Sequence, residues 1–210
     1  MPRVVSVNVG RPQQIGVQRG RPQMSAIGKA PVTGRVRVAG VNVAGDDQAD
    51  RRVHGGPDKA VYAYASEDIA WWSDELGRDD LGPGIFGENL TTAGVDVTDA
   101  VIGERWRVGT VELEVCQPRL PCAKLGYRFG DQRMVKRFAL AGRPGAYLRI
   151  VTEGEVGKGD TVDITHRPSH GVTVAQVSRA ILLDEDELAA AAQAPELPEA
   201  LSRWMLERAA

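Results

Sequence analysis

A thiol flanked by cations is the first feature with chemistry in it. Gln117-Pro118-Arg119-Leu120-Pro121-Cys122-Ala123-Lys124-Leu125 sets Cys122 in a loop stiffened by two prolines, between Arg119 and Lys124. Nearby cations favour thiolate over thiol, and the thiolate is the species that ligates soft metals or carries sulfur. The second cysteine, Cys116, ends an alternating apolar run with no charged loop around it, the setting of a buried, inert thiol. A second segment, Val53-His54-Gly55-Gly56-Pro57-Asp58-Lys59-Ala60-Val61-Tyr62, makes a tight turn before a strand, with His54 and Lys59 at its two lips. Glycine amides free of side chains admit a phosphate or pterin close to the backbone, and Lys59 adds charge.

Charge placement agrees with an anion site. The formal net charge is −2, yet residues 117–149 hold eight Lys and Arg side chains against Asp131 alone. Residues 171–210 carry seven acids against three arginines. With so small a net charge there is no global field for nucleic acid or an anionic membrane, and none is expected as a partner.

Two other motifs carry no such chemistry. Gly82-Pro-Gly84-Ile-Phe-Gly87 matches the letters of a dinucleotide fingerprint, but polar Gly77-Arg-Asp-Asp80 precedes it and strand-like Asn89-Leu-Thr-Thr92 follows. A fingerprint works only between a strand and a helix, so no nicotinamide or flavin site is expected. His166 and His170 have the spacing of a helical metal pair, but Pro168 breaks that helix and leaves them as linker residues. Two cysteines also rule out a disulfide scaffold, a four-cysteine zinc site and an iron–sulfur cluster.

The elements that must hold these loops are mostly strands. Arg35-Val36-Arg37-Val38-Ala39 and Thr110-Val111-Glu112-Leu113-Glu114-Val115 alternate with period two, and 24 glycines and 12 prolines supply turns between such runs. Two helices interrupt them. Ser66 is placed to cap residues 67–76, with Ile69, Trp72 and Leu76 on one face and Gly77 as the stop. Asp131 is placed to cap 132–141, with Met134 and Phe138 inward and Gly142 closing. After His166-Arg167-Pro168-Ser169-His170-Gly171 the pattern turns helical. Thr173-Val-Ala-Gln176 and Asp184-Glu-Asp-Glu187 resemble capping boxes, and Pro198 suits a first helical position. The expectation is a mainly β fold, an antiparallel barrel or sandwich with a few helices over residues 1–168. A small three-helix domain over 171–210 leans on it. No targeting segment or membrane span is visible, so a cytosolic setting is expected.

Arg119-Leu-Pro-Cys122-Ala-Lys-Leu125, His54-Gly-Gly56 and Phe86-Gly-Glu-Asn-Leu90 together resemble the MOSC family, named for the C-terminal domain of molybdenum cofactor sulfurases. The resemblance is nearer to its YiiM-like branch, which adds a C-terminal three-helix domain, and it covers essentially the whole chain. It implies a MOSC-type β-barrel and the molybdenum cofactor (molybdenum on molybdopterin), not pyridoxal phosphate. Cys122 is then the molybdenum ligand or sulfur carrier. His54, Gly55, Gly56, Lys59, Asn89 and Arg119 match motif positions and are expected to hold the anionic pterin. The implied activity is reduction of small N-hydroxylated compounds such as hydroxylaminopurine-type bases. With no nicotinamide, flavin or cluster motif, electrons would come from a separate reductase. The alternative is a sulfur-carrier or delivery protein that uses a Cys122 persulfide without bound molybdenum.

Overall fold

The computed structural model describes residues 1–18, 20–50 and 55–210. The first half runs through β1 (Arg3–Val9), β2 (Gln13–Gln18), β3 (Arg21–Ser25), β4 (Ala30–Pro31), β5 (Arg35–Ala39) and β6 (Asn42–Val43). A 3-10 turn, Pro57–Lys59, leads into β7 (Val61–Ala65), α1 (Ser66–Leu76) and β8 (Leu90–Ala93). Then come β9 (Arg105–Val108), β10 (Val111–Pro118), α2 (Ala123–Phe129), α3 (Met134–Ala141), β11 (Ala146–Thr152), β12 (Gly154–Gly157) and β13 (Val162–His166). The chain closes with α4 (Val174–Leu182), a 3-10 turn at Glu185–Glu187, α5 (Leu188–Ala191) and α6 (Glu199–Ala209).

Period two does its expected work: along β5 the arginines are exposed while Val36 and Val38 are buried. Eight strands form one sheet in the order β13-β9-β10-β11-β7-β8-β1-β4. Its pairs are antiparallel except β7 with β8, where α1 provides the crossover that a parallel pair requires. Smaller sheets join β12-β5-β6 and β2-β3.

The fold is sheet-rich, as expected, but the described strands do not form a closed barrel. The order leaves β13 and β4 at its ends. The first residues of β1 meet the run before β13 in a short seam instead of a full ladder. Val4 N donates to Asp160 O (2.9 Å), Gly159 N to Val4 O (2.9 Å) and Val162 N to Pro2 O (3.1 Å).

Several helix ends also differ from expectation. Ser66 is the first residue of α1, and its hydroxyl bonds Glu67 while Ala65 occupies the cap; Gly77 ends the helix in the left-handed region as expected. Asp131 accepts from the Arg133 amide, and α3 starts only at Met134. Asp184 makes no side-chain cap, and Pro198 is the cap of α6 rather than its first residue. Thr173 and Gln176 do form a reciprocal capping box.

Val174, Val177, Ala180, Leu188, Leu197 and Met205 from the C-terminal segment are buried in the same apolar cluster as Val4, Trp106, Leu113 and Leu148 of the sheet. Burying such a side chain contributes about 1.5–3 kcal/mol, so the short helices draw much of their stability from this shared core. Among the described residues no helix is long and apolar enough to cross a membrane.

Candidate functional site

A cleft of about 90 Å³ lies where the β3–β4 connection, the loop after β6, the Pro57–Lys59 turn, β7, residues 86–89 and the β10–α2 loop converge. Cys122, Arg119, Lys59 and Asn89 line it. Cys122 is half-buried and stands immediately before α2, whose Leu125 amide returns to the Cys122 carbonyl (2.9 Å). The helix docks closely: Gly126 lies where any Cβ would fall within 2.7 Å of the Gln132 side chain.

Arg119 is 5% exposed. Its guanidinium lies over the rings of Phe138 (4.9 Å) and Tyr62 (5.9 Å). Nη1 is buried without a hydrogen-bond partner, and among the described residues no carboxylate pairs with this side chain. An unmet charged donor at the wall of a cleft is costly unless a ligand completes it.

One wall of the cleft is a polar network. The Asp46 carboxylate is fully buried and accepts from the Gly10 amide (2.7 Å), from Asn89 Nδ2 (2.9 Å) and from the Lys29 ammonium. Burial pushes the Lys29 ammonium below its ordinary pKa, and Asp46 opposes that shift. Asn89 ties three strands' surroundings together: it accepts from the Tyr62 amide (3.1 Å) and donates to Asn8 O (3.2 Å) as well as to Asp46. Both of its amide hydrogens are therefore engaged within the protein. Glu88, fully buried, accepts from the Gly84 amide (2.5 Å), the Phe86 amide (3.1 Å) and the Thr91 hydroxyl (2.8 Å). Those bonds fold residues 82–87 against the β3–β4 connection. Gly84 (φ +85°) comes so near Lys29 O that a Cβ would sit 2.6 Å from it. The segment is thus a packed turn, with neither the strand nor the helix of a dinucleotide site.

The opposite wall is aromatic, made by Tyr62, Phe86 and Tyr147. Tyr62 and Tyr147 face each other across the β7–β11 register with ring centroids 5.1 Å apart. Burial raises both phenols above their ordinary pKa, so both keep their protons at neutral pH.

Behind the cleft, Cys116 is fully buried and donates to Asp58 O (3.0 Å) and Tyr147 O (3.3 Å). Its thiol is pushed up to about 12, chiefly by burial. Gln117 Nε2 also donates to Asp58 O (3.0 Å), and Arg149 grips the Asp58 carboxylate (2.8 Å). These contacts seat the Pro57–Lys59 turn and so aim Lys59 at the cleft.

The structure therefore brings Cys122, Arg119, Lys59 and Asn89 together. Gly55 and Gly56 shape the turn (Gly56 φ +97°) without lining the cleft, and His54 lies outside the described residues. Lys29, Asp46, Tyr62 and Tyr147 are site residues that the sequence reading missed. His170 does not line the cleft and bonds Glu196 (3.2 Å), as a linker residue would.

The donor set suits an anionic cofactor bearing a soft metal: one accessible thiol beside a buried guanidinium with an unmet donor. Among the described residues no group of three or more His, Cys, Asp or Glu could hold a metal ion.

Comparison with known proteins places the chain in a family. The model of the MOSC domain matches residues 50–163. The chain is 31% identical over 190 residues to protein YiiM of Escherichia coli (strain K12), covering 88% of this chain and 84% of that protein. It is 35% identical over 177 residues to a protein of Gibberella moniliformis named a reductase, covering 83% of this chain and 31% of that longer protein. The crystal structure of YiiM from Geobacillus stearothermophilus superposes over the whole of both chains with a TM-score of 0.82 at 28% identity.

Proposed function

The chain belongs to the MOSC domain family, in its YiiM-like branch, and from that premise we propose that it is a molybdenum-cofactor-dependent reductase of N-hydroxylated compounds. The observation that carries the proposal is the Cys122 thiol beside the buried Arg119 guanidinium with an unmet donor, in one cleft. Cys122 holds the metal through sulfur. Arg119 and Lys59 hold the anionic tail, on a turn shaped by Gly55 and Gly56. Asn89 acts by fixing Asp46 and β7, and His54 enters through its motif position alone. The reductase name of the fungal relative supports the reaction class. The seam between β1 and residues 159–162 supports a MOSC-type barrel.

The cofactor, when bound, supplies two-electron removal of oxygen. The balanced reaction is R–NH–OH + 2 H⁺ + 2 e⁻ → R–NH₂ + H₂O, with electrons from a separate reductase protein.

The test is metal analysis and pterin fluorescence on protein purified from molybdate-replete cells. Single-turnover oxidation of the dithionite-reduced protein by a hydroxylamino base follows, with Cys122→Ser as control. Stoichiometric molybdenum and substrate-dependent oxidation, both lost in the variant, are expected. A protein without molybdenum that gains one labile sulfur on Cys122 from a cysteine desulfurase is a sulfur carrier instead.

A further inference from the structure

Three tyrosines pack in a row beside the cleft, and their hydroxyls are treated differently. Tyr62 donates to Pro144 O (2.8 Å). Tyr64 donates to Arg143 O (3.0 Å) and accepts from Trp72 Nε1 (2.9 Å). Tyr147 is only half-buried, and no described residue bonds its hydroxyl. Its ring is held from two sides. The strand is fixed by pairing with Tyr62 on β7 and Gln117 on β10, and the ring face by Tyr62 at 5.1 Å. The result is a firmly placed phenol in the same cleft as Cys122 and Arg119, whose hydroxyl takes no bond from the described residues.

We propose that the Tyr147 hydroxyl recognises the oxygen of the N-hydroxylated substrate, so that it distinguishes the hydroxylamine from its amine product. The inference rests on the reductase reading above and deepens it. An N–OH group both accepts and donates, which matches a phenol hydroxyl that can do both. The amine product lacks that oxygen and forfeits the contact, so the hydroxyl holds substrate more tightly than product. Tyr62 does not serve this purpose, because its proton is committed to Pro144 O. Tyr147 is a binding residue here, and no proton need leave it.

Binding can be read without turnover by using full-length, cofactor-loaded, oxidised protein with no reductant present. Hydroxylaminopurine and adenine are titrated in turn by calorimetry. The wild type is expected to prefer hydroxylaminopurine by about tenfold, the scale of one good hydrogen bond. Tyr147→Phe, which keeps the ring and its packing, should erase the preference while adenine affinity moves by less than about twofold. Tyr64→Phe removes a hydroxyl outside the cleft and should keep the preference, so a general loss of packing is distinguishable. A Tyr147→Phe protein that still prefers the hydroxylamine overturns the inference. So does a wild type that reduces the base yet binds both compounds equally, and in that case the reductase reading stands. A wild type that binds neither compound overturns both.

Discussion

Arg119 and Cys122 stand at the cleft, while Arg149 and Cys116 stand in the junction behind it, where the Pro57–Lys59 turn meets the sheet and the C-terminal segment. Each region holds one cysteine and one arginine, and each arginine buries one nitrogen without a partner. Around Arg149 the remaining donors are engaged by Asp58 (2.8 Å), Glu114 (3.0 Å) and the Glu196 carbonyl (3.0 Å). Around Arg119 there are aromatic faces and no carboxylate among the described residues. Cys116 is sealed and hydrogen-bonded to two carbonyls, whereas Cys122 is half-exposed in the cleft. Residue type therefore says little by itself. What separates a structural arginine from a ligand-binding one is whether the fold has already supplied its counter-charge.

The widest separation should appear in thiol chemistry. With its pKa near 12, Cys116 is about 10⁻⁴ thiolate at about pH 8, and it is also buried. Iodoacetamide should modify Cys122 at least ~10³-fold faster in the folded protein, read by peptide mass spectrometry. Equal rates would dissolve the contrast. The same shift has a stability consequence. The unfolded thiol ionises first, near 9.0, so the native state holds the extra proton and stability falls as pH rises from there toward about 12. Cys116→Ala should flatten that part of the urea-denaturation profile.

The arginines give the next largest effect. Arg149→Met strands the Asp58 carboxylate and leaves Glu114 to Arg105 alone, and should lower stability by about 1–3 kcal/mol in urea, part of it screened by solvent at Asp58. Arg119→Met removes a buried charge with no carboxylate partner among the described residues, so stability should be unchanged or higher while cofactor retention falls. A large stability loss in Arg119→Met would show that it, too, is a structural residue. An effect no larger than that of Arg149→Met belongs to Glu88→Gln, which presents an NH₂ group to amides that need an acceptor. About 1–3 kcal/mol should be lost, together with the close seating of residues 82–87 on the β3–β4 connection.

The legible half of the site lies within short stretches of chain. Cys122 and Arg119 share one loop, and Lys59 follows a glycine–proline turn, so residue type and spacing suffice to single them out. Asp46, Lys29 and Asn89 meet through side-chain bonds between residues 17 and 43 positions apart, and no local pattern encodes that. Tyr147 looks like one more residue of an alternating strand, because its proximity to Tyr62 comes from β7–β11 register. Asn89 was visible through its motif, but its engagement with Asn8 and Asp46 belongs to packing. The helix α2 escaped notice because Pro121 before it and Gly126 within it suggest a loop. Its glycine is there for contact with Gln132. The barrel expectation met a subtler obstacle, since period-two patterning shows which face of a strand is buried and is silent on which strands pair at the edges.

The seam between residues 2–4 and 159–162 also dictates a timetable. On one side β1 pairs with β8, and on the other it bonds to backbone more than 150 positions downstream, the bridge joining Arg3 to Thr161. Contacts of such sequence separation form slowly, because the entropy of closing a long loop is lost before the bonds return anything. A ribosome making this protein therefore releases β1 first and completes its pairing only after residue 162 has emerged. Until then the Pro2–Val4 edge of β1 stays open even after β4 and β8 have paired with the strand, and the exposed, charged Arg3 there guards against pairing with another chain.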